Sequence, residues 1–337
     1  MGHPDPIVVA AGARELGLDA FEPGDSVWNR AVGRAAQADP FCCRSEWQLA
    51  FHETHYPDRP LHLLRLGRSL VALAAHRLPG RGLRLEPLEC HWSFGCPLLG
   101  SRAVELLRAL TDAVSRAEGE APELLISGLL PGSALLREVV LAFHGRAAIY
   151  RCEPGVSRSA SLEGGIDGYL SRRSAKHRRN LRQSERRARA RGVCFERVVP
   201  RDAAAAAATY ERMLDVERAS WKGIGECGMA ESPSREFYAA LLVRMARSGI
   251  GRVVFARRDD RDVGFVFGGL AGTTYRGQQF SFVEDERAAS IGNLLQLEQL
   301  RWLCEEGATR YDMGPRMDYK LHWTEVETVA EALLIRP

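Results

Sequence analysis

Two successions of the same elements constrain this 337-residue chain more than any single motif does. After a short amphipathic helix over 45–56 come three β-like runs: LHLLRL (61–66), SLVALAAHRL (69–78) and GLRLEPLEC (82–90). Gly67-Arg68 supplies the first turn and Pro79-Gly80-Arg81-Gly82 the second. A helix over 103–118, a strand at 123–127, a helix at 133–143 and a strand near 147–153 follow. The second half opens with a strand at 157–162, one long helix from about 166 to 191, a strand at 194–200 and helices at 202–219 and 234–247. Three strands then recur at 251–257, 262–270 and 273–283, turned at Asp259-Asp260-Arg261-Asp262 and Gly272-Thr273. A helix over 292–306, a strand at 310–314 and a last strand at 330–336 complete the chain. The order of elements repeats, while the residues do not. The pattern predicts an α/β fold of mixed central sheets flanked by helices, in two domains, 1–153 and 154–337. Residues 1–37 read as an irregular lead-in. A Rossmann unit would need an early G-x-G-x-x-G after a strand, and none stands there.

Composition narrows the class. Apolar residues make up 45% and charged residues 26%, as in a soluble globular protein. No apolar run approaches the roughly 20 residues of a spanning helix, and the first residues carry no secretion pattern. A cytoplasmic setting and no membrane span are expected. The eight cysteines form no C-x-x-C pair and have no histidine cluster beside them. Neither a metal site nor a disulfide framework is expected, and the cysteines read as small buried residues. A net charge of +3 excludes a polycation. Lysine occurs only at 176, 222 and 320, which makes each one easy to weigh.

Four segments of the second half carry a resemblance: YLSRRSAKHRRNLRQSERR (169–187), ERASWKG (217–223), the stretch from FYAALL (237–242) to SFVEDERAASIGNLLQLEQL (281–300), and YDMGPRMDYKLHW (311–323). In this order they resemble the Fem-type and cellulose-locus branch of the GNAT superfamily of acyltransferases. The first half, around FCCRSEWQLAF (41–51), is similar to the degenerate first unit of that branch. The resemblance implies two tandem GNAT-like domains with the working site in the second. The long coiled-coil arm of some Fem-type transferases is absent.

The resemblance also implies a coenzyme A phosphate loop of the form [Q/R]-x-x-G-x-[G/A] at the start of a helix. Arg287 to Gly292 fits it with one departure, Ser290 for the first glycine. A helix start offers N–H donors and a positive dipole end, and Gly292 would allow close approach of the ligand. Ser290 also reads as an ordinary helix cap. Arg287, Ser290, Gly292 and Asn293 are the candidate cofactor-binding residues. No tightly bound cofactor is expected; a coenzyme A thioester is the expected co-substrate.

N-acyl transfer needs a neutral amine, a positioned carbonyl and donors for the oxyanion. Lys320 matches the lysine that Fem-type enzymes place at the reaction centre, with Tyr319 beside it. Asp312, Glu284 and His322 are candidate bases. Tyr311 and Asp312, as neighbours on a strand, cannot both face one cleft. Trp221 reads either as an apolar wall for a substrate or as a core plug, and Lys222 joins it as a candidate substrate contact. From Arg172 to Arg191 ten Arg or Lys residues face a single Glu185. Arg178, Arg182 and Arg186 stand for this run as candidate contacts to an anionic partner, with a solvated arginine face as the plainer reading.

These features predict an N-acyltransferase that moves an acyl group from acyl-CoA or an acyl-carrier protein to an amine-bearing acceptor by direct attack. No nucleophile–His–Asp set is visible for a covalent intermediate. The alternatives are an aminoacyl-tRNA-dependent transferase forming a peptide-like bond, and a binding module without catalysis.

Overall fold

The structure is a computed structural model that describes residues 12–22, 24 and 26–337, apart from the side chains of Arg287 and Ala288. The chain forms two compact units, Met1–Gly155 with Val329–Pro337, and Val156–Thr328.

In the first unit β1 (Arg14–Glu15), α1 (Val27–Val32) and α2 (Ser45–His55) precede three antiparallel strands, β2 (Leu61–Leu66), β3 (Ser69–Leu78) and β4 (Gly82–Glu86). After β5 (Leu98–Leu99), which pairs with β3, come α3 (Ala103–Glu118), β6 (Glu123–Leu129), α4 (Ala134–Phe143) and β7 (Ala148–Arg151). β6 lies parallel to β4 at Arg84↔Glu123 and Leu85↔Leu124. α3 supplies the crossover such a parallel pair requires, burying Leu106, Leu107 and Leu110 against the sheet. The last strand of the chain (Val326–Arg336) pairs with β6 at Leu333↔Ile126 and with β7 at Leu334↔Tyr150. Residues 329–337 therefore close the first unit, although the sequence order places them in the second domain. A linear boundary misses a C-terminal strand that returns to the first sheet.

The second unit opens with β8 (Gly155–Ser161), α5 (Gly165–Ser171), α6 (Ala175–Ala190), β9 (Cys194–Val198), α7 (Ala203–Arg218), α8 (Trp221–Ile224) and α9 (Ser234–Arg247). β10 (Gly251–Arg258), β11 (Arg261–Ala271) and β12 (Thr274–Phe282) then form an antiparallel meander, and β9 pairs with β10. α10 (Ile291–Glu305) crosses over to β13 (Arg310–Pro315), which lies parallel to β12 and antiparallel to β8. The final strand, Val326–Arg336, is β14. Both units thus share one arrangement: a three-stranded meander, a crossover helix, then a strand parallel to the third. α10 packs on one face, where Ile291 and Leu295 approach Gly264. α9 lies on the other, where the Tyr238 hydroxyl meets the Gln279 side chain at 2.8 Å.

The single long helix expected over 166–191 is two helices. Ser174 starts α6 by accepting the His177 N–H, as a cap residue does. Arg173 is buried and pairs with Glu325. Arg178 reaches back to the carbonyls of Leu170, Ser171 and Arg173, at 2.7 Å for the last. The break is held by side chains, with no Gly or Pro to announce it. The cysteines are only partly as expected: Cys42, Cys43 and Cys96 are buried, whereas Cys194 and Cys227 are exposed.

Candidate active site

β12 and β13 pair over three residues only, Thr274↔Arg310, Tyr275↔Tyr311 and Arg276↔Asp312. Beyond that rung β12 runs on to Phe282 and β13 to Pro315 unpaired with each other. The strands fork, and the fork opens into a cleft of about 370 Å³. Its walls include Gln278 to Phe282 of β12, Tyr311, Met313 and Pro315 of β13, Trp221 and Lys222 of α8, Gln296 of α10, and Met317, Tyr319 and Lys320.

The open edge of β12 carries main-chain groups toward this cleft. Val283 N–H donates to Val263 O at 3.0 Å. Bonded and non-bonded pairs alternate along an antiparallel ladder. The register Phe282↔Gly264, Ser281↔Phe265 and Phe280↔Val266 then turns the N–H and C=O of Phe280 and Phe282 away from β11, toward the fork. The Lys222 ammonium donates to Phe280 O at 2.8 Å from that side. One step back the register shifts: Phe267 faces Gln279 and Gly268 faces Gly277. Gln278 is therefore a bulge residue outside the ladder, and its buried side-chain Nε2 has no partner in the structure.

Lys320 sits in a 3₁₀ turn, Asp318–His322, just past β13. It is buried, and its ammonium donates to Pro315 O at 2.8 Å. Desolvation lowers its pKa to about 8, Arg276 pushes the same way, and Asp312 opposes both. Tyr319 is partly exposed beside it, its hydroxyl raised to about 12 by burial. Lys222 lies on the other wall, its pKa also lowered, chiefly by desolvation. Trp221 is 55% exposed and lines the cleft, so it is a wall and not a core plug.

Other expected residues stand elsewhere. Asp312 is buried away from the cleft; it accepts Gly314 N–H at 2.7 Å and faces Arg276 at 3.8 Å. Tyr311, its neighbour, takes the cleft side and donates to Gln296 Oε1 at 2.6 Å. Glu284 is not among the cleft walls; its main-chain N–H donates to Ala219 O. His322 is exposed. Arg178 is committed to the end of α5, while Arg182 and Arg186 are exposed with Lys176, Arg179, Arg187, Arg189 and Arg191. α6 is seated through Leu181 and Ala188, one heptad apart, and Ala188 shares a cluster with Ala289 and Ile291.

The expected phosphate loop changes character. The Arg287 side chain lies outside the described residues. Ser290 is at the start of α10 but with φ 60°, and its side chain makes no cap bond. It is not an ordinary cap; it takes the left-handed conformation that a glycine adopts freely. Gly292 is small for packing: a Cβ there would meet the rings of Phe282 at 3.0 Å and Phe280 at 3.2 Å. Its bare face is turned to the Phe280 and Phe282 rings of β12. Asn293 is exposed on the first turn.

In the first unit the equivalent gap beside β6 is filled by the chain itself. Ser93 O accepts Gly128 N–H at 3.2 Å and Gly95 O accepts the Ser127 hydroxyl at 2.7 Å. A Cβ on Gly128 would lie 2.5 Å from the Gly95 carbonyl carbon. The end of β6, which corresponds to β13 beyond the fork, is thus covered by residues 93–95 in the first unit. A larger hollow of about 820 Å³ between α3 and α4 is lined by several exposed charged residues, among them Arg102, Glu105, Asp112 and Glu138. It lacks the convergent buried polar groups of the fork.

Residues 175–321 match the family described as "Acetyltransferase (GNAT) domain". No curated protein matches the chain in sequence. Among solved structures it is similar to FemX at 12% identity, over 95% of this chain and 96% of that one, with a TM-score of 0.64. It is similar to the C-terminal domain of a putative lysylphosphatidylglycerol synthetase from Agrobacterium fabrum at 12% identity, over 92% and 91%, with a TM-score of 0.58. L-PGS from Bacillus licheniformis follows at 13% identity, over 96% and 94%, with a TM-score of 0.52. At these identities the likeness is one of fold, and it runs through both units.

Proposed function

On the premise that the chain carries a GNAT acetyltransferase domain within a tandem GNAT-like fold, we propose that it transfers an acyl group from an acyl thioester to an amine at the β12–β13 fork. The observation that carries this is the three-residue pairing of β12 with β13 and the buried lysine just beyond it. The donor's amide arm lies along the open edge of β12 and pairs with the main chain of Phe280 and Phe282, as an added strand would. The acceptor amine attacks the carbonyl directly. As the C–N bond forms, the carbonyl π electrons move to oxygen. The Lys320 ammonium stabilises that oxyanion. The intermediate collapses by breaking the C–S bond, and the amine's proton passes to solvent or to the leaving thiolate. Asp312 and Glu284 do not touch the reactants, being outside the cleft lining. Coenzyme A is the simplest donor.

A second reading, transfer from an aminoacyl-tRNA, is favoured by α6. Its exposed Lys176, Arg179, Arg182, Arg186, Arg187 and Arg189 suit a phosphate backbone, and the Fem-type resemblance points the same way. The ester of such a donor would present its carbonyl to the same Lys320. Calorimetric titration separates the readings. Binding of acetyl-coenzyme A supports the first. Binding of aminoacyl-tRNA alone, weakening steeply with salt, replaces it with the second. Binding of neither leaves the non-catalytic module.

A further inference from the structure

The second lysine of the cleft is held quite differently from the first. Glu217, near the end of α7, is fully buried, and its Oε1 accepts Met229 N–H at 2.9 Å. The Lys222 ammonium stands 3.7 Å from that oxygen. It donates to Phe280 O at 2.8 Å and to Gln279 Oε1 at 3.1 Å. The loop is wound tightly around this pair. A Cβ on Gly228 would come within 2.3 Å of Glu217 Oε1 and 3.1 Å of Lys222 Cβ. Ser220 starts α8 by accepting Lys222 N–H at 3.2 Å, while its hydroxyl donates to Glu217 O at 2.7 Å.

Phe280 O is one of the main-chain groups that the register directs into the fork. Among the described residues β11 holds this peptide from the far side through the Ser281↔Phe265 pair, and no strand pairs with it on the fork side. We propose that Lys222 takes a strand's place there: it is a positioning residue that ties the open edge of β12 at Phe280 to the buried Glu217 carboxylate. This rests on the reading of the fork as the donor site. A latch that swings away when the donor enters would strand the Glu217 carboxylate in the interior without its counter-charge, which is strongly unfavourable. Lys222 therefore stays in place when the donor binds. A carbonyl oxygen has two lone pairs, so the Phe280 carbonyl held by Lys222 still accepts an N–H from the donor's arm. Removing the tie weakens donor binding and leaves the chemistry at Lys320 intact.

Lys222→Met alone would leave the buried carboxylate uncompensated and fail to fold for that reason, so the test uses the double variant Glu217→Gln/Lys222→Met, which removes both charges. Two measurements follow on the intact chain, with circular dichroism to confirm folding. The first is amide hydrogen exchange of peptides covering residues 279–282 in the free protein, expected at least tenfold faster in the double variant. The second is thiol release from acetyl-coenzyme A, expected to show a KM raised at least tenfold with kcat within threefold of wild type. Unchanged exchange at 279–282, or a loss confined to kcat, overturns the proposal. If wild type itself neither binds acetyl-coenzyme A nor releases thiol, it is the donor reading that fails, and the exchange measurement alone then decides the role of Lys222.

Discussion

Arg276 and Asp312 are partners on the last rung that β12 and β13 share, and their side chains face each other at 3.8 Å. The pair sits where the strands fork and sets the field around Lys320. Arg276 pushes the Lys320 pKa down and Asp312 holds it up. Lys320 acts as an ammonium, so activity should fall as pH rises through about 8, the value burial gives it. Asp312→Asn removes the supporting charge and should move that alkaline limb to lower pH. The measurement is kcat/KM from pH 6 to 10 for both proteins. An alkaline limb that Asp312→Asn leaves where it is in wild type would assign that limb to another group.

Ser290 stores strain at the start of α10, with φ 60° and no side-chain cap bond. Ser290→Gly relieves roughly 1–2 kcal/mol of left-handed cost, offset in part by greater freedom of the unfolded chain. A net gain of up to about 1 kcal/mol is expected. Gly292→Ala should do the reverse, losing about 1–3 kcal/mol as its methyl meets the Phe280 and Phe282 rings. Thermal unfolding of both variants checks the pair; a Ser290→Gly protein that melts below wild type contradicts the strain.

The first unit holds a histidine cluster whose pH response has a definite sign. His52, His55 and His91 all have pKa values lowered from 6.5, in each case chiefly by desolvation. Arg59 lowers His52 and His91 further, while Glu53 and Glu86 oppose it. His55 stacks on Phe51 at 4.1 Å, and His91 meets the Tyr56 hydroxyl at 2.8 Å. The unfolded chain binds these protons more readily, so stability is present above pH 6.5 and falls as pH drops through the lowered values. Hydrogen exchange of peptides spanning 47–56 should accelerate below pH 6.5 in the intact protein. Replacing His52 with Leu should flatten that dependence; an unchanged slope would assign it to other groups.

Arg178 and its neighbours on α6 should separate cleanly. Arg178→Ala removes donors from carbonyls at the end of α5 and should cost about 1–3 kcal/mol. Arg179, Arg182, Arg186 and Arg189 are exposed, and changing all four to Glu should leave the melting temperature nearly intact. If a nucleic acid is the donor, the quadruple variant abolishes its binding. If coenzyme A is the donor, its affinity changes less than threefold.

Much of this arrangement was legible in the sequence because it rests on periodicity and turns. The meander, the crossover helix and the strand after it appear in order in both halves. Trp221, Lys222, Tyr319 and Lys320, drawn from two short motifs, all reach one cleft. The misses have local causes. The side-chain-held break at Arg172–Ser174 has no breaker residue. Strand phase put Tyr311, and not Asp312, in the cleft. Gln278 and Gln279 carry no motif that marks them as cleft residues, and the one local signal is the glycine inside the run YRGQQF, the usual mark of a bulge. That β14 closes the first unit depends on long-range pairing that no local pattern encodes.

The central claim is that the donor occupies the fork between β12 and β13. Hydrogen exchange with and without saturating acetyl-coenzyme A tests it most directly. The account predicts protection concentrated in peptides covering 277–282 and 313–320, retained in a folded Lys320→Met variant that no longer turns over. Binding that protects α6 or the first unit while leaving 277–282 unchanged would contradict it.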